Sequence, residues 1–288
     1  MAEGVVFDLG YQPHDGPRLG RSGARRALFK DGLRRVLGLR RKARKKILPA
    51  SLMAIAVMPA LFFTAFSVIA GEFDATAELF DHENYFNLNG SMALIFVALA
   101  ASELLIPDRI NGTMAVYASR PLTTPDYVMG RAGSLAIVVF GFLWIPHLVL
   151  FIGRAWVGSS GFGTYVVDNA AILWKTAVVS VVYFAAYTSI AFLVAAFSKR
   201  TAVAAGVFLG IVMLSATTEA LVDAGFSVFG LGAILDHPGY VKDWILGTNT
   251  ETWIPETAGI EPVMSLLVII TLTIAAGLIV TGRYRRAA

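Results

Sequence analysis

Pro107-Asp108-Arg109-Ile110-Asn111-Gly112-Thr113, continuing through Ser119-Arg120-Pro121 to Tyr127, is a short polar stretch between two long apolar ones. Leu88–Ile106 precedes it and Tyr127–Gly153 follows it. Each neighbour is long enough to cross a bilayer, which takes about 20 residues of helix. If both cross, the polar stretch is a small knob between two spans, too short for a domain and too polar for lipid. The same reading, carried outward, gives six spans: roughly Ile47–Ala70, Leu88–Ile106, Tyr127–Gly153, Ala177–Phe197, Thr201–Leu221 and Val263–Gly282. None shows the two-residue alternation of a membrane barrel, so all six should be helices. The expected fold is an all-α polytopic membrane protein with six transmembrane helices.

Composition agrees. Of 288 residues, 56% are hydrophobic and only 15% charged, with mean hydropathy +0.66. A soluble domain has roughly 45–50% apolar and about 25% charged residues. Cysteine is absent, which excludes disulfides, thiolate metal sites and cysteine nucleophiles. The formal charge of +4 does not point to nucleic acid, because the basic residues sit beside the spans. There they report orientation and contact with anionic lipid. The N-terminus does not read as a signal peptide: its basic region is long and no cleavage site follows a short apolar core.

Orientation follows from the charges. The first tail carries Arg18, Arg21, Arg25, Arg26, Lys30, Arg34, Arg35, Arg40, Arg41, Lys42, Arg44, Lys45 and Lys46. With both termini inside, the other cytoplasmic pieces hold Arg109, Arg120, Arg131, Lys199, Arg200, Arg283, Arg285 and Arg286. Only Arg154, Lys175 and Lys242 of the 24 basic residues are left outside. Acids fill the outer loops instead, from Glu72 to Glu83 in the first and from Asp223 to Glu261 in the last. This is the positive-inside pattern, and a multi-pass protein of a plasma (inner) membrane with cytoplasmic termini is expected.

The chain thus divides into a basic tail (1–46), a transmembrane domain (47–282) and a short cytoplasmic tail (283–288). Ser22 is placed to cap a helix running to about Lys46. Phe29, Leu33, Val36 and Leu37 fall on one face of it, the pattern of an amphipathic helix lying in the membrane surface. The alternative is a basic flank that only sets orientation. The outer region, about 223–262, is long and partly apolar, with a His237-Pro238-Gly239 break between its apolar pieces. A pair of short re-entrant or interfacial helices is expected there.

Few constellations point to chemistry. No lysine follows a glycine, so there is no Walker loop, and ATP, if used, is bound by another chain. Gly158–Gly163 is glycine-rich but lacks dinucleotide spacing and reads as a flexible outer turn. The four histidines are scattered, which argues against a metal site; His147 reads as a packing group rather than a proton relay. Glu103 and Glu219 lie in or at the ends of apolar runs. Ionisable groups there usually face a protein interior or an aqueous pathway. Solvation at the span ends is the alternative, and for Glu103 an ion pair with Arg109 or Arg131. Ala202, Gly206 and Gly210 recur every four residues, a packing stripe for a helix of this chain or of a second protomer. Pro59 and Pro146 should kink their helices.

In the polar stretch, Ile110, Met114 and Tyr117 share one face if Asp108 to Ser119 is a single helix. Pro107 suits its first turn and Pro121 ends it. A short helix with one apolar face suits docking into a groove on a soluble partner. A plain connector would need neither that face nor those ends.

The chain resembles the membrane subunit of type-2 ABC exporters, most strongly over Glu103 to Leu135. That family's pattern appears as Asp108-Arg109, Gly112-Thr113, the apolar Met114–Ala118, Ser119-Arg120-Pro121, Tyr127 and Arg131. Arg131 stands where a lysine is often found. The N-terminal Tyr11–Arg18 also looks like the tail of some bacterial members. The resemblance implies a permease subunit that pairs with a second, identical or related, permease and with two cytoplasmic ABC ATPase subunits, which bind ATP and Mg. Residues 108–119, including Asp108, Arg109, Ile110, Gly112, Thr113, Met114 and Tyr117, would be the coupling helix. The chain itself would need no cofactor and would be no enzyme. Apolar spans with few internal charges point to a lipophilic substrate moved outward by alternating access. An ion-coupled secondary transporter, for which paired halves and broken helices are expected, and a non-transporting scaffold or assembly factor are the competing classes.

Overall fold

The computed structural model describes residues 19–39, 44–70, 81–119, 121–158, 160–249 and 251–286. Tyr11–Arg18, Arg120 and the outer-loop acids Glu72, Asp74 and Glu78 lie outside the described residues. Every regular element within them is helical. The α-helices are α1 (Gly20–Val36), α2 (Arg44–Ala70), α3 (His82–Ile110), α4 (Thr113–Ala118), α5 (Thr124–Val157), α6 (Phe162–Phe197), α7 (Thr201–Ala216), α8 (Thr218–Asp223), α9 (Asp236–Leu246), α10 (Ile254–Thr257) and α11 (Pro262–Arg285). A 3-10 helix, Ser227–Gly232, joins α8 to α9.

Five segments are long and apolar enough to cross a membrane: α3, α5, α6, the pair α7–α8, and α11. The protein is membrane-embedded by this measure. The first expected span falls in α2, whose apolar stretch Ala50–Phe66 is shorter than the other five. Helix is the outcome because a lipid-facing backbone must satisfy its own hydrogen bonds.

The bundle centres on α3, α5 and α6. α1 and α2 lie on α5, α11 lies on α6, and α7 lies beside α3. Burial follows that order: 67% of the most apolar stretch of α3 and 61% of that of α6 are buried, against 17% for α7–α8 and 22% for α11. The peripheral helices therefore turn most of their apolar surface outward, where lipid can cover it.

Several boundaries differ from expectation. α1 ends at Val36, not near Lys46. Gly38 takes a left-handed conformation (φ +63°), and the Leu39 N–H reaches back to the Arg34 carbonyl at 2.8 Å, which closes the helix. Leu19, not Ser22, occupies the N-cap, and the Ser22 hydroxyl donates to the Leu19 carbonyl. The buried stripe of α1 is Leu28, Gly32 and Val36, and it packs on protein. A Cβ on Gly32 would stand 2.1 Å from the Ser134 hydroxyl of α5, so α1 sits as close to α5 as backbone allows.

α6 starts at Phe162, well before the expected Ala177, directly after Gly161. Its 36 residues make a rod about 54 Å long, far longer than the roughly 30 Å hydrocarbon core. The fifth expected span is interrupted at Thr217, between α7 and α8. His237-Pro238-Gly239 is no break: it opens α9, where Pro238 sits in the first turn and lacks an N–H the helix has no use for.

Candidate functional site

Pro107 does not start a helix; it lies inside the last turn of α3, which runs on to Ile110. The chain then turns at Gly112, which holds φ +67°, a conformation that favours glycine. α4 follows over six residues, Thr113–Ala118. The expected single helix over 108–119 is thus two pieces set at an angle by Gly112. The shared face is lost with it: Ile110 is exposed, Met114 is buried, and Tyr117 is half-buried. Val116, not Met114 or Tyr117, is the outward apolar residue of α4.

Asp108 is buried too, with 2% of its side chain exposed. Its carboxylate accepts from Arg131 Nη2 at 2.6 Å, Arg35 Nη1 at 2.7 Å and the Tyr127 hydroxyl at 2.9 Å. Arg131, with no exposed surface, also donates to Asp31 at 2.9 Å and to the Tyr117 hydroxyl at 3.1 Å. Arg35 pairs with Asp31 one turn away on α1. Two carboxylates thus meet two guanidiniums, and the cluster is neutral as a whole. Burial, with the Asp108 charge second, raises the Tyr117 phenol, so it accepts from Arg131 as a neutral group. Tyr127 stacks on Tyr284 of α11, whose hydroxyl donates to the Leu105 carbonyl at 2.8 Å. Parts of α1, α3, α4, α5 and α11 meet here.

A second knot lies beside it. Thr123 and Asp126 form a capping box at the start of α5: the Asp126 carboxylate accepts the Thr123 N–H at 3.0 Å, and the Thr123 hydroxyl accepts the Asp126 N–H. The same carboxylate accepts from Arg21 at 2.8 Å and Arg25 at 2.6 Å, both on α1. Half of the basic residues of α1, namely Arg21, Arg25 and Arg35, are thus paired with carboxylates of this chain.

Of the residues singled out in the sequence, Asp108, Thr113, Tyr117, Tyr127 and Arg131 belong to this site. Thr113 donates to the Asp108 carbonyl at 2.8 Å and ties α4 to α3. Arg109 points away and donates to the Ser198 carbonyl at the end of α6. Glu103 is half-buried on α3, and Glu219 is exposed in the first turn of α8. Ala202, Gly206 and Gly210 are exposed, and a Cβ on either glycine would meet nothing within 4 Å. Among the described residues, no helix packs on that stripe.

The far end of the bundle holds pairings that spacing along the chain does not reveal. The His82 and His147 rings, 65 residues apart, approach to 3.1 Å between their Nδ1 atoms, both buried. The histidines are thus not all scattered. Among the described residues no group of three or more His, Cys, Asp or Glu side chains is placed to hold a metal ion. Lys242 of α9 is fully buried, 2.8 Å from Asn87 Oδ1 and 3.1 Å from Asp243. Asp243 accepts from Trp253 Nε1 at 2.6 Å. The capping box can be read from Thr123-Thr124-Pro125-Asp126; the ion pairs around Asp108 and Arg131, which join residues 23 to 100 apart, cannot.

No protein-family model matches the chain, and no curated protein does either.

Proposed function

We propose that this chain is the permease subunit of a type-2 ABC exporter, moving a lipophilic substrate outward while separate ATPase subunits bind ATP and Mg. The observation that carries the reading is α4. It is a short helix freed from α3 by Gly112, tied back at Thr113 and Tyr117, with Ile110 and Val116 left exposed. A connector needs no such support. A helix that must transmit a push does, because force on a loosely held segment moves only that segment.

In this reading α2 supplies the first of six spans, and the α1 end of the bundle faces the cytoplasm. α1 lies along the inner membrane surface while packed on α5. The cluster around Asp108 and Arg131 joins α4 to α3, α5 and α11, so displacement of α4 reaches three spans at once. The short helices from Ser227 to Thr257 cap the outer end.

The test is co-expression with a Walker-motif ATPase encoded beside this chain. The pair should co-purify, and Val116→Glu should abolish co-purification while leaving thermal unfolding unchanged, since Val116 packs on nothing it would disturb. Gly112→Val should strain the turn and uncouple ATP turnover from export. Survival of both activities in that variant would remove the coupling role of α4. Substrate movement driven by an ion gradient, with no ATPase bound, would replace this reading with that of a secondary transporter.

A further inference from the structure

The turn from α6 to α7 carries a groove the proposed coupling does not use. Val194 and Phe197 of α6 and Val203 and Val207 of α7 wall an open cavity of about 770 Å³, with Lys199 and Arg200 on its rim. That volume lies within the roughly 300–1,000 Å³ of ligand pockets. Arg283 of α11 stands over the Phe197 ring, 5.8 Å from its centroid, and brings a third cation to the same corner. The turn itself is held by Arg109, which donates to the Ser198 carbonyl; the Arg109 Nη1 atom is buried with no partner.

Some basic residues at this end are neutralised, while others, such as Arg26, Lys30 and Arg34 on α1, are as open as those at this corner; what sets the corner apart is the apolar groove beside its cations. Arg21, Arg25, Arg35 and Arg131 are each paired with a carboxylate. Lys199 and Arg200 are exposed, and among the described residues neither has an acidic partner. The groove is thus apolar along its walls and uncompensated positive at one lip, with all three cations at the helix ends that the basic residues place at one membrane surface.

We infer that this groove holds an anionic phospholipid, with one acyl chain along the α6–α7 walls and the headgroup phosphate at Lys199 and Arg200. The walls accept any acyl chain, so selection lies in the headgroup: each basic residue near the surface favours an anionic lipid by about fivefold. A second copy of the chain is the poorer occupant. A two-fold contact sets the same patch against itself, and here that would bring Lys199 and Arg200 up to their own counterparts. The inference rests on the membrane-embedded reading and its orientation, not on ATPase coupling. The bound lipid is a fixed constituent of the α6–α7 corner, distinct from any transported substrate.

The test uses the full chain, titrated with phosphatidylglycerol or phosphatidylcholine and read by native mass spectrometry. Phosphatidylglycerol should be retained at least tenfold more strongly than phosphatidylcholine. The double variant Lys199→Gln, Arg200→Gln should lose about 25-fold in phosphatidylglycerol retention, about fivefold for each charge, with phosphatidylcholine unchanged. Val207→Trp fills the groove without altering charge and should displace phosphatidylglycerol as well. Equal retention of the two lipids in the wild type would overturn the inference. So would a loss in the double variant without one in Val207→Trp, because the rim would then act only as general surface charge. The chain has no cysteine, so Val207→Cys gives a single thiol; an efficient disulfide-linked dimer would give the groove to a second copy instead. Both charge substitutions lie at exposed positions, and an unchanged melting temperature confirms that the variant is folded. None of these measurements involves ATP, so failure of the coupling reading and failure of this one are separable.

Discussion

Arg131 and Lys242 are both completely buried, at opposite ends of the bundle, and they are held in different ways. Arg131 reaches partners on three other elements: Asp31 of α1, Asp108 of α3 and Tyr117 of α4. Lys242 pairs with the adjacent residue, Asp243, with the Asn87 oxygen and the Trp253 ring around it. The planar fork of a guanidinium serves several acceptors in fixed directions, whereas an ammonium is a compact point charge. A buried pair adds little net stability; its effect is to specify which partners meet. The Arg131 end is therefore the one where a single side chain ties α5 to three other elements, α1, α3 and α4, whereas Lys242 joins α9 to α3. At the Lys242 end, burial lowers the ammonium's pKa and Asp243 opposes that shift.

The sharpest way to break this comparison is Arg131→Met. It leaves Asp108 and Asp31 facing a removed charge, and a loss of about 3–5 kcal/mol is expected. Thermal unfolding in nanodiscs measures it, and Arg131→Lys should recover only part, since a lysine cannot serve both carboxylates. Lys242→Met should cost less, about 1–3 kcal/mol, because Asp243 keeps the Trp253 and Thr248 donors. Equal losses at both ends would erase the distinction. Asp126→Ala removes the capping box of α5 and should cost about 1 kcal/mol, with faster amide exchange confined to α1 and the first turn of α5.

The smallest effect is in pH. At the start of α9, burial chiefly, with Glu219 and Glu251 adding to it, raises Asp236 from 3.8 to about 6. Its contribution to stability is full below about 4 and is lost as pH rises through about 6. Burial lowers the neighbouring His237 below its usual 6.5, so its contribution is lost as pH falls below 6.5. The two slopes oppose each other between about pH 4 and 6. The protection of the α9 amides, relative to their intrinsic exchange rates, should change less with pH over that range in the wild type than in His237→Asn, where it should rise as pH falls from 6.5 to 4.5. A wild-type slope as steep as the variant's would remove the pairing of these two groups.

Helical class and the cores of five spans were legible because apolar run length reports membrane crossing directly. The ends were not. Gly38 stops α1 short of the basic run that seemed to prolong it, and Gly112 splits what reads as one helix. Pro238 looks like a breaker, yet a proline is compatible with a first turn. Asp108, charged and beside Arg109, reads as a surface residue. Its burial depends on Arg35 and Arg131, which lie 73 and 23 residues away along the chain. Periodicity within one helix carries no information about partners at that range, and His82 with His147 repeats the lesson at the other end.

The separation of Asp31 from Arg131 by 100 residues sets an order of events at the ribosome. Chains emerge from the N-terminus, so α1 is complete long before α5 exists to receive it. Until then Leu28 and Val36, buried in the finished fold, have no α5 to cover them. The docking of α1 onto α5 is then the last step that the first helix waits for. An N-terminal fusion that slows or blocks that step would leave a chain with every span inserted but its first helix unlatched.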